Sequence, residues 1–498
     1  MPKPKKTKKL SNTVEINKPA YKFYLGKGNN EDLVRQVLLT RSWWVETDDK
    51  ERNNLLWQQW TPSREYYETF QKPQSICSHL AGNIELHSKL NLYKNVCQYL
   101  QKNAFKILMP TYQLFGAEKV KFENHFQYLS NNSVQKPLET EADQSPELLP
   151  SLKPKTDPAP NLKNGSKLQF NSERVPFEFQ VTKKNLNKKN LWILKPEGLN
   201  RGHGIVVVSS ISEIQQHIDE CRKELPDIKT RSKSNPQKVA AVVAKPTIEQ
   251  IVNVHTNQQF LIQKYIENPL LFDGRKFDIR CYGLMTAKGD CYVYNRGYLR
   301  LTTNKFDLDS KDPAVHLTNN AVQKLLETYC GYEEGNMQSF AELDQLLQEK
   351  THEPTYFTSV LWPKIIQSVT DAMASVSKRI IGKYSCQNCF ELFGFDFMIT
   401  DQLNHILIEC NANPCIELSS PVSWWLLPEL LDDVFDLTID RTFSIQQNKQ
   451  KGVFEPKTLE YWRKTHPEER KVIGMRFQGQ KVERKNEFKM VIQGWKVV

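Results

Sequence analysis

Long uncharged apolar runs are missing from this chain. None approaches the ~18 residues of a membrane-spanning helix, and the mean hydropathy is −0.58. Framework spacing is missing among the ten cysteines, so reduced thiols are expected rather than a disulfide scaffold. The N-terminal MPKPKKTKKL carries five lysines with no apolar stretch behind them, which does not read as a secretory signal. No internal repeat is found. Cys386 and Cys389 form a CxxC without a second pair or a nearby histidine pattern, which argues against zinc or redox chemistry.

What is present suits a large folded protein. Across 498 residues, 39% are hydrophobic and 10% aromatic. That supplies a sizeable core and excludes wholesale disorder. The length allows about three domains or one multilobed enzyme. Lys and Arg number 68 against 57 acids, a formal charge of +11. The excess favours a polyanionic partner, whether nucleic acid, acidic lipid or an acidic protein tail, and does not choose among them.

Composition divides the chain. Residues 1–20 form a basic tail expected to be disordered. Residues 21–130 read as a small α/β lobe, with strand-like alternation over Tyr21–Gly26 and a helix from Glu31 to Arg41. Residues 131–190 are rich in Pro, Ser, Asn and Lys and read as a flexible insertion or linker. Residues 191–443 alternate short apolar strands with helices around a polar insert at 224–259. Residues 444–498 are polar and mixed in charge, expected to be a peripheral segment or flexible arm, with the arm favoured.

Four segments carry candidate chemistry. In KPEGLNRGHGI an apolar strand delivers Lys195, and a glycine-rich turn and a second strand follow. Such a turn lets backbone N–H groups approach phosphate oxygens. It is neither a Walker A loop nor a Rossmann fingerprint, and an ordinary hairpin is the plainer reading. The strand Phe260–Ile266 ends in polar residues that could line a nucleotide base. In Arg275–Arg280, strand alternation puts Lys276, Asp278 and Arg280 on one face and Phe277 and Ile279 on the other. That face is either liganded or a solvated ion pair. Finally, FDFMIT and HILIECN flank the turn candidate Asp401–Asn404. Pairing Thr400 with His405 sets Asp396 opposite Glu409, with Asn411 on the same face. Opposed carboxylates between apolar neighbours favour a hard cation such as Mg²⁺.

The order of these four elements is that of an ATP-grasp site, and the chain resembles the tubulin tyrosine ligase-like family. The matching text is WILKPEGLNRGHGI, LIQKYIENPLLFDGRKFDIR, GYLR, HLTNNAVQK and FELFGFDFMI with ILIECNANP. YKFYLGKGNNEDLVRQVLLTRSWW and LNLYKN resemble the family's leading lobe. The resemblance spans Tyr21 to Phe443 apart from the two polar inserts. It implies an α/β (α+β) ATP-grasp fold, with a small N-terminal lobe and central and C-terminal lobes.

Site roles follow from the resemblance. Lys195 contacts ATP phosphates, with Arg201 and Gly202 in the loop above them. Gln263, Lys264, Tyr265 and Ile266 surround adenine. Lys276 and Asp278 reach phosphate and ribose, and Thr318 and Asn319 the phosphates. Asp396, Glu409 and Asn411 hold Mg²⁺. Arg280 and Arg300 hold the substrate carboxylate or the transferred phosphate, with Lys276 and Glu409 also counted as catalytic. One conflict is visible: pairing Thr286 with Cys291 puts Arg300 on the face opposite Arg280, so a register change is required, such as a bulge at Gly297.

The implied activity is ATP-dependent amino-acid ligation to acidic tubulin tails through an acyl phosphate. Glycine stands slightly ahead of glutamate and tyrosine. The positions where glutamate-adding members carry Tyr-Ser hold Asn320 and Ala321, read here as lining the amino-acid pocket, with Lys324 its nearby cation. Tyr332–Asn336 looks more like the tyrosine ligase. Implied partners are tubulin or microtubule tails and a free amino acid. Membrane and nucleic acid are not expected, and the protein is expected to be a monomer of the cytoplasm, cytoskeleton, cilium or basal body. The reading from another class is a catalytically silent microtubule- or nucleic-acid-binding scaffold.

Overall fold

Among the described residues, short apolar runs of the kind read above build three sheets. The structure is a computed structural model. It describes residues 21–28, 31–63, 67, 75–133, 189–197, 202–221, 259–329, 336–381, 388–443, 488–493 and 496–497. The tail 1–20, residues 134–188 of the expected insertion, 224–258 of the polar insert and 444–487 lie outside them. So do Arg201, Cys386 and Tyr332–Gly335.

Two compact units divide the chain, Met1–Phe122 with Leu191–Val498, and Glu123–Asn190. Within the smaller unit, the Asn190 amide donates to the Phe126 carbonyl at 3.1 Å and to Ser130 Oγ at 2.9 Å.

The first sheet contains β1 (Tyr21–Leu25), β2 (Trp44–Glu46), β3 (Leu55–Trp57) and β4 (Ile76–Cys77), all parallel in the order β2-β1-β3-β4. Parallel neighbours need crossovers. The helix Glu31–Leu39 supplies the first, burying Leu33, Val34, Val37 and Leu38 on one stripe, with Glu31 and Asp32 in its first turn where the helix dipole favours acids. It stops two residues short of Arg41, which is instead buried in ion pairs with Asp440 at 2.8 Å and Asp432 at 2.9 Å.

The second sheet runs β5-β8-β6-β7, from β5 (Thr111–Gln113), β6 (Trp192–Pro196), β7 (Val206–Val208) and β8 (Phe260–Lys264), with antiparallel neighbours. β5 comes from the segment expected to be a separate N-terminal lobe. Thr111–Gln113 pairs with β8, and residue 130 lies inside the helix Gly116–Ser133.

The third and largest sheet holds β9 (Leu271–Phe272), β10 (Arg275–Thr286), β11 (Cys291–Lys305), β12 (Met337–Ser339), β13 (Phe390–Ile399), β14 (His405–Asn411), β15 (Phe488–Gln493) and β16 (Lys496–Val497). Its path is β14-β13-β10-β11-β15-β16, with β12 on β11 and β9 on β10. One face packs Phe277, Ile279, Cys281 and Met285 in a core with Ile365, Val369, Ala372, Met373 and Val376. Those five recur at helical spacing along the helix Trp362–Ile381. Each of the isoleucine, valine and methionine side chains among them contributes ~1.5–3 kcal/mol when fully buried. On the other face, Tyr282 and Leu284 share a core with Leu427, Leu430 and Leu431 of the helix Pro421–Leu437. The C-terminal segment is not wholly a free arm, because β15 pairs with β11, Tyr294 with Phe488 and Tyr292 with Met490.

Candidate active site

Alternation along β10 places Lys276, Asp278 and Arg280 on one face of the large sheet and Phe277 and Ile279 in the core. The charged face is not solvated: Lys276 is 4% exposed, Asp278 7% and Arg280 4%. Bare charges at such burial are prohibitive, so partners must be present.

Two register shifts deliver them. At the β10–β11 turn Met285 pairs with Cys291, one residue off the simple hairpin. Between the pairs Gly283–Val293 and Cys281–Gly297, β11 carries two extra residues, and beyond them Asp278 faces Arg300. The one-residue offset at the turn puts Arg300 on the face of Arg280, and the two extra residues keep that face and bring Arg300 opposite Asp278. Gly297 closes the bulge because a Cβ there would stand 2.3 Å from the Arg280 carbonyl oxygen and 2.7 Å from the Phe340 ring.

The second shift corrects the expected hairpin. Ile399, not Thr400, pairs with His405. Carried on unbroken, that register would turn Glu409 to the side of the core residue Leu407. Ile408 is instead an extra residue opposite the Asp396–Phe397 step, and Asp396 faces Glu409 as read from the sequence. Bulges commonly re-aim side chains in this way.

The result is a row of alternating charge. Arg280 grips Asp396 with Nε to Oδ1 at 2.5 Å and Nη2 to Oδ2 at 3.0 Å. Arg300 grips Asp278 with two bonds of 2.7 Å and reaches Asp396 Oδ2 at 2.8 Å. Thr318 Oγ1 donates to Asp278 Oδ2 at 2.5 Å. Such bidentate, charge-assisted pairs are the strong class. Burial opposes ionisation of Asp396, but Arg280 and then Arg300 hold its carboxyl well below the usual range.

An open cavity lies over this row. Lys195, Gln263, Lys264, Tyr265, Ile266, Lys276, Asp278, Arg300, Thr318, Asn319, Asp396 and Glu409 line it, drawn from β6, β8, β10, β11, β13, β14 and the Thr318-Asn319 loop. Arg280, the end of the row, is not among the lining residues, and Gly202 turns with φ of 79°, a region that suits glycine. Lys195 Nζ donates to Gln263 Oε1 at 2.8 Å. Burial lowers its pKa to about 8, with Glu409 raising and Lys89 lowering it in turn. Burial likewise brings Lys276 to about 7, opposed by Asp278 and aided by Lys195. Lys264 commits its ammonium to Glu267 at 2.5 Å and the Leu191 carbonyl at 2.8 Å.

Asn320, Ala321 and Lys324 are not among the lining residues. Ala321 and Lys324 are exposed, Lys324 Nζ pairs with Glu417 at 3.0 Å, and Asn320 accepts from the Tyr329 hydroxyl at 2.7 Å. The short helix Asn320–Gln323 turns its buried residue, Gln323, toward the carbonyls of Ala314 and Leu317 instead. Sequence reasoning missed Met109, His316, Met398 and Ile408, which also line the cavity. Alternation from Asp396 could have found Met398. Ile408 follows from the bulge, and Met109 had no local signal.

Oxygen-donor chemistry fits a hard cation at the β13–β14 hairpin. Asp396 and Glu409 oppose each other, and the Asn411 amide donates to Glu409 Oε1 at 3.2 Å and to Asp396 Oδ2 at 3.5 Å. Turned over, the same amide presents an oxygen. Mg²⁺ takes a few such ligands and completes its shell with water and phosphate.

Residues 152–450 match the tubulin-tyrosine ligase family. Tubulin glycylase 3C of Tetrahymena thermophila is 30% identical over 276 residues, 53% of this chain and 22% of that protein. Human protein monoglycylase TTLL8 is 29% identical over 263 residues, 52% of this chain and 27% of its own. Rat protein polyglycylase TTLL10 is 23% identical over 425 residues, 84% of this chain and 53% of its own. The chain thus spans about a quarter to a half of the length of these relatives. With more than half of its residues inside the family match, and with an α/β fold of the ATP-grasp kind, the chain belongs to the tubulin-tyrosine ligase family.

Proposed function

We propose that this chain is an ATP-dependent ligase that joins an amino acid, glycine first, to carboxylates of tubulin's C-terminal tails. The observation that carries the reading is the buried Asp278–Arg300–Asp396–Arg280 row beneath a cavity flanked by Lys195 and Lys276. Cations and carboxylates alternate there where phosphate charge would develop. The relatives named as glycylases favour glycine.

In this reading Lys195, Lys276, Thr318 and Asn319 bind the phosphates, with Gly202 in the turn above and Arg201, outside the described residues, assigned by the family resemblance to the same task. Gln263, Lys264, Tyr265 and Ile266 enclose the base. Asp396, Glu409 and Asn411 would hold Mg²⁺, which when bound supplies charge neutralisation at the phosphates. Arg300, fixed by Asp278 and Asp396, turns its remaining N–H groups toward the acceptor carboxylate or the transferred phosphoryl group, and Arg280 keeps Asp396 ionised. The γ-phosphoryl group passes to the acceptor carboxylate and the amino-acid amine displaces phosphate, forming an amide. No enzyme nucleophile takes part. Met109, Met398 and Ile408 supply the apolar wall that excludes water. The division into tail, lobe, insertion and catalytic segment remains part of the proposal, as does a cytoskeletal or ciliary location.

The test is incubation with ATP, Mg²⁺, tubulin and labelled amino acids in turn. Glycine incorporation is expected. Glutamate incorporation without glycine would overturn the subtype, and no incorporation of any amino acid would overturn the ligase reading.

A further inference from the structure

We propose that His316 is a positioning residue for Lys276, acting through the hydroxyl of Tyr265. The proposal rests on the reading of Lys276 as a phosphate ligand and adds to it the residue that aims it. His316 touches Lys276 twice over. Its backbone carbonyl accepts from Lys276 Nζ at 2.8 Å. Its ring reaches the same ammonium through Tyr265, whose oxygen accepts from Nζ at 2.9 Å and whose hydroxyl lies 2.7 Å from His316 Nδ1.

The proton positions in this chain are forced. His316 Nε2 lies 2.7 Å from the Ser310 carbonyl, which can only accept, so Nε2 carries a proton. Burial keeps the ring neutral, with the Ser310 bond opposing and Lys276 assisting. A neutral ring protonated at Nε2 has a bare Nδ1, so the Tyr265 hydroxyl must donate to it. Its lone pairs are then turned to Lys276, and the third N–H of the ammonium is left for the cavity. The edge-on packing of Tyr265 and Phe306 against the imidazole, at 5.5 and 6.0 Å between centroids, fixes its plane. The charged groups around the chain are Asp307 and Asp312 near His316, Glu267 near Tyr265, and Asp278 and Lys195 near Lys276.

Two substitutions separate this role from simple packing. His316→Asn keeps an acceptor where Nδ1 stands and loses the Ser310 bond. His316→Gln keeps a donor for Ser310 and loses the acceptor for Tyr265. The measurement is binding of a non-hydrolysable ATP analogue with Mg²⁺ to the full chain, from pH 6 to 9. His316→Gln and Tyr265→Phe should each weaken binding about tenfold at pH 7.5, the worth of one hydrogen bond to a charged group. His316→Asn should stay within about threefold, and the double variant Tyr265→Phe/His316→Gln should be no weaker than Tyr265→Phe alone. In His316→Gln the ammonium has lost support, so the pH at which affinity begins to fall should move lower.

Equal losses in the Asn and Gln variants, additive losses in the double variant, or a loss uniform across pH would overturn the proposal. If His316→Gln does not fold, Tyr265→Phe decides the matter alone: unchanged affinity overturns it. Lys276→Ala distinguishes the two levels. Unchanged affinity there overturns the phosphate reading and the proposal with it, whereas loss there beside neutral His316 variants overturns the proposal only.

Discussion

Arg300 Nη2 lies 2.8 Å from Asp396 Oδ2, so the guanidinium that grips Asp278 also braces the neighbouring strand's carboxylate. One side chain thereby joins β10, β11 and β13 at the candidate site, and it is nearly excluded from water. Arg300→Met should leave two buried carboxylates short of a cation and cost ~3–5 kcal/mol, read as a lowered urea midpoint. Asp396 adds a pH signature. Its folded pKa is depressed, so its contribution is present above the ordinary aspartate value and is lost as pH falls below it. The variant should reach its acid transition at higher pH than the parent. A midpoint and acid limit both unchanged would contradict the bracing role.

Nucleotide binding should take up protons. With Lys195 near 8 and Lys276 near 7, both amines are partly neutral at pH 8, and a bound polyphosphate favours the ammonium forms. Affinity should fall as pH rises through 7 to 9. Calorimetry at pH 8 in two buffers of different ionisation enthalpy should return uptake approaching one proton or more, vanishing near pH 6. Identical heats in the two buffers at pH 8 would remove the phosphate role from both lysines.

Glu409→Gln should abolish most turnover while the protein stays folded. The amide is nearly isosteric but a weaker ligand for a hard cation, and Glu409 also supports the charge on Lys195. A Mg²⁺ titration should need at least about tenfold more metal for half-maximal rate. Turnover within a few-fold of the parent at equal Mg²⁺ would sink the metal assignment.

Gly297→Ala should behave as a register mutation. The added methyl meets the Arg280 carbonyl at 2.3 Å and Phe340 at 2.7 Å, so β10 and β11 must separate where Arg300 is brought into line with Asp278. A cost of ~1–3 kcal/mol is expected from overpacking alone, with a larger fractional loss of nucleotide affinity than Arg280 or Phe340 contacts by themselves would give. Thermal melts and analogue binding check the two parts, and a neutral result in both would show that the strands tolerate the methyl.

Local signals were legible and long-range ones were not. The face shared by Lys276, Asp278 and Arg280 follows from period 2 alone, and the opposition of Asp396 and Glu409 was reached by a pairing one residue off at the turn and compensated by the bulge at Ile408. Bulges are not written in composition, because an extra residue costs little locally and is justified only by what it aligns across strands. The conflict over Arg300 could be detected in the sequence but not resolved there, because the one-residue offset at the β10–β11 turn is likewise set by what it aligns across the strands. Ala321 and Lys324 were assigned to the pocket by adjacency to Thr318-Asn319. The short helix starting at Asn320 instead buries Gln323 and leaves those two in water. The strand at Phe488 was hidden because six residues flanked by polar sequence look like coil until a partner edge is known.

That strand has a practical consequence. Without β15, the long β11 would present a bare row of backbone donors and acceptors beside Tyr292 and Tyr294, a template for pairing with another chain. A fragment trimmed to the family match at residues 152–450 would lose this cover together with the parallel sheet and β5. Such a piece should be recovered as aggregates, whereas retaining residues 21–498 keeps the edge paired. For anyone expressing this protein, the strand Phe488–Gln493 belongs in the expressed chain.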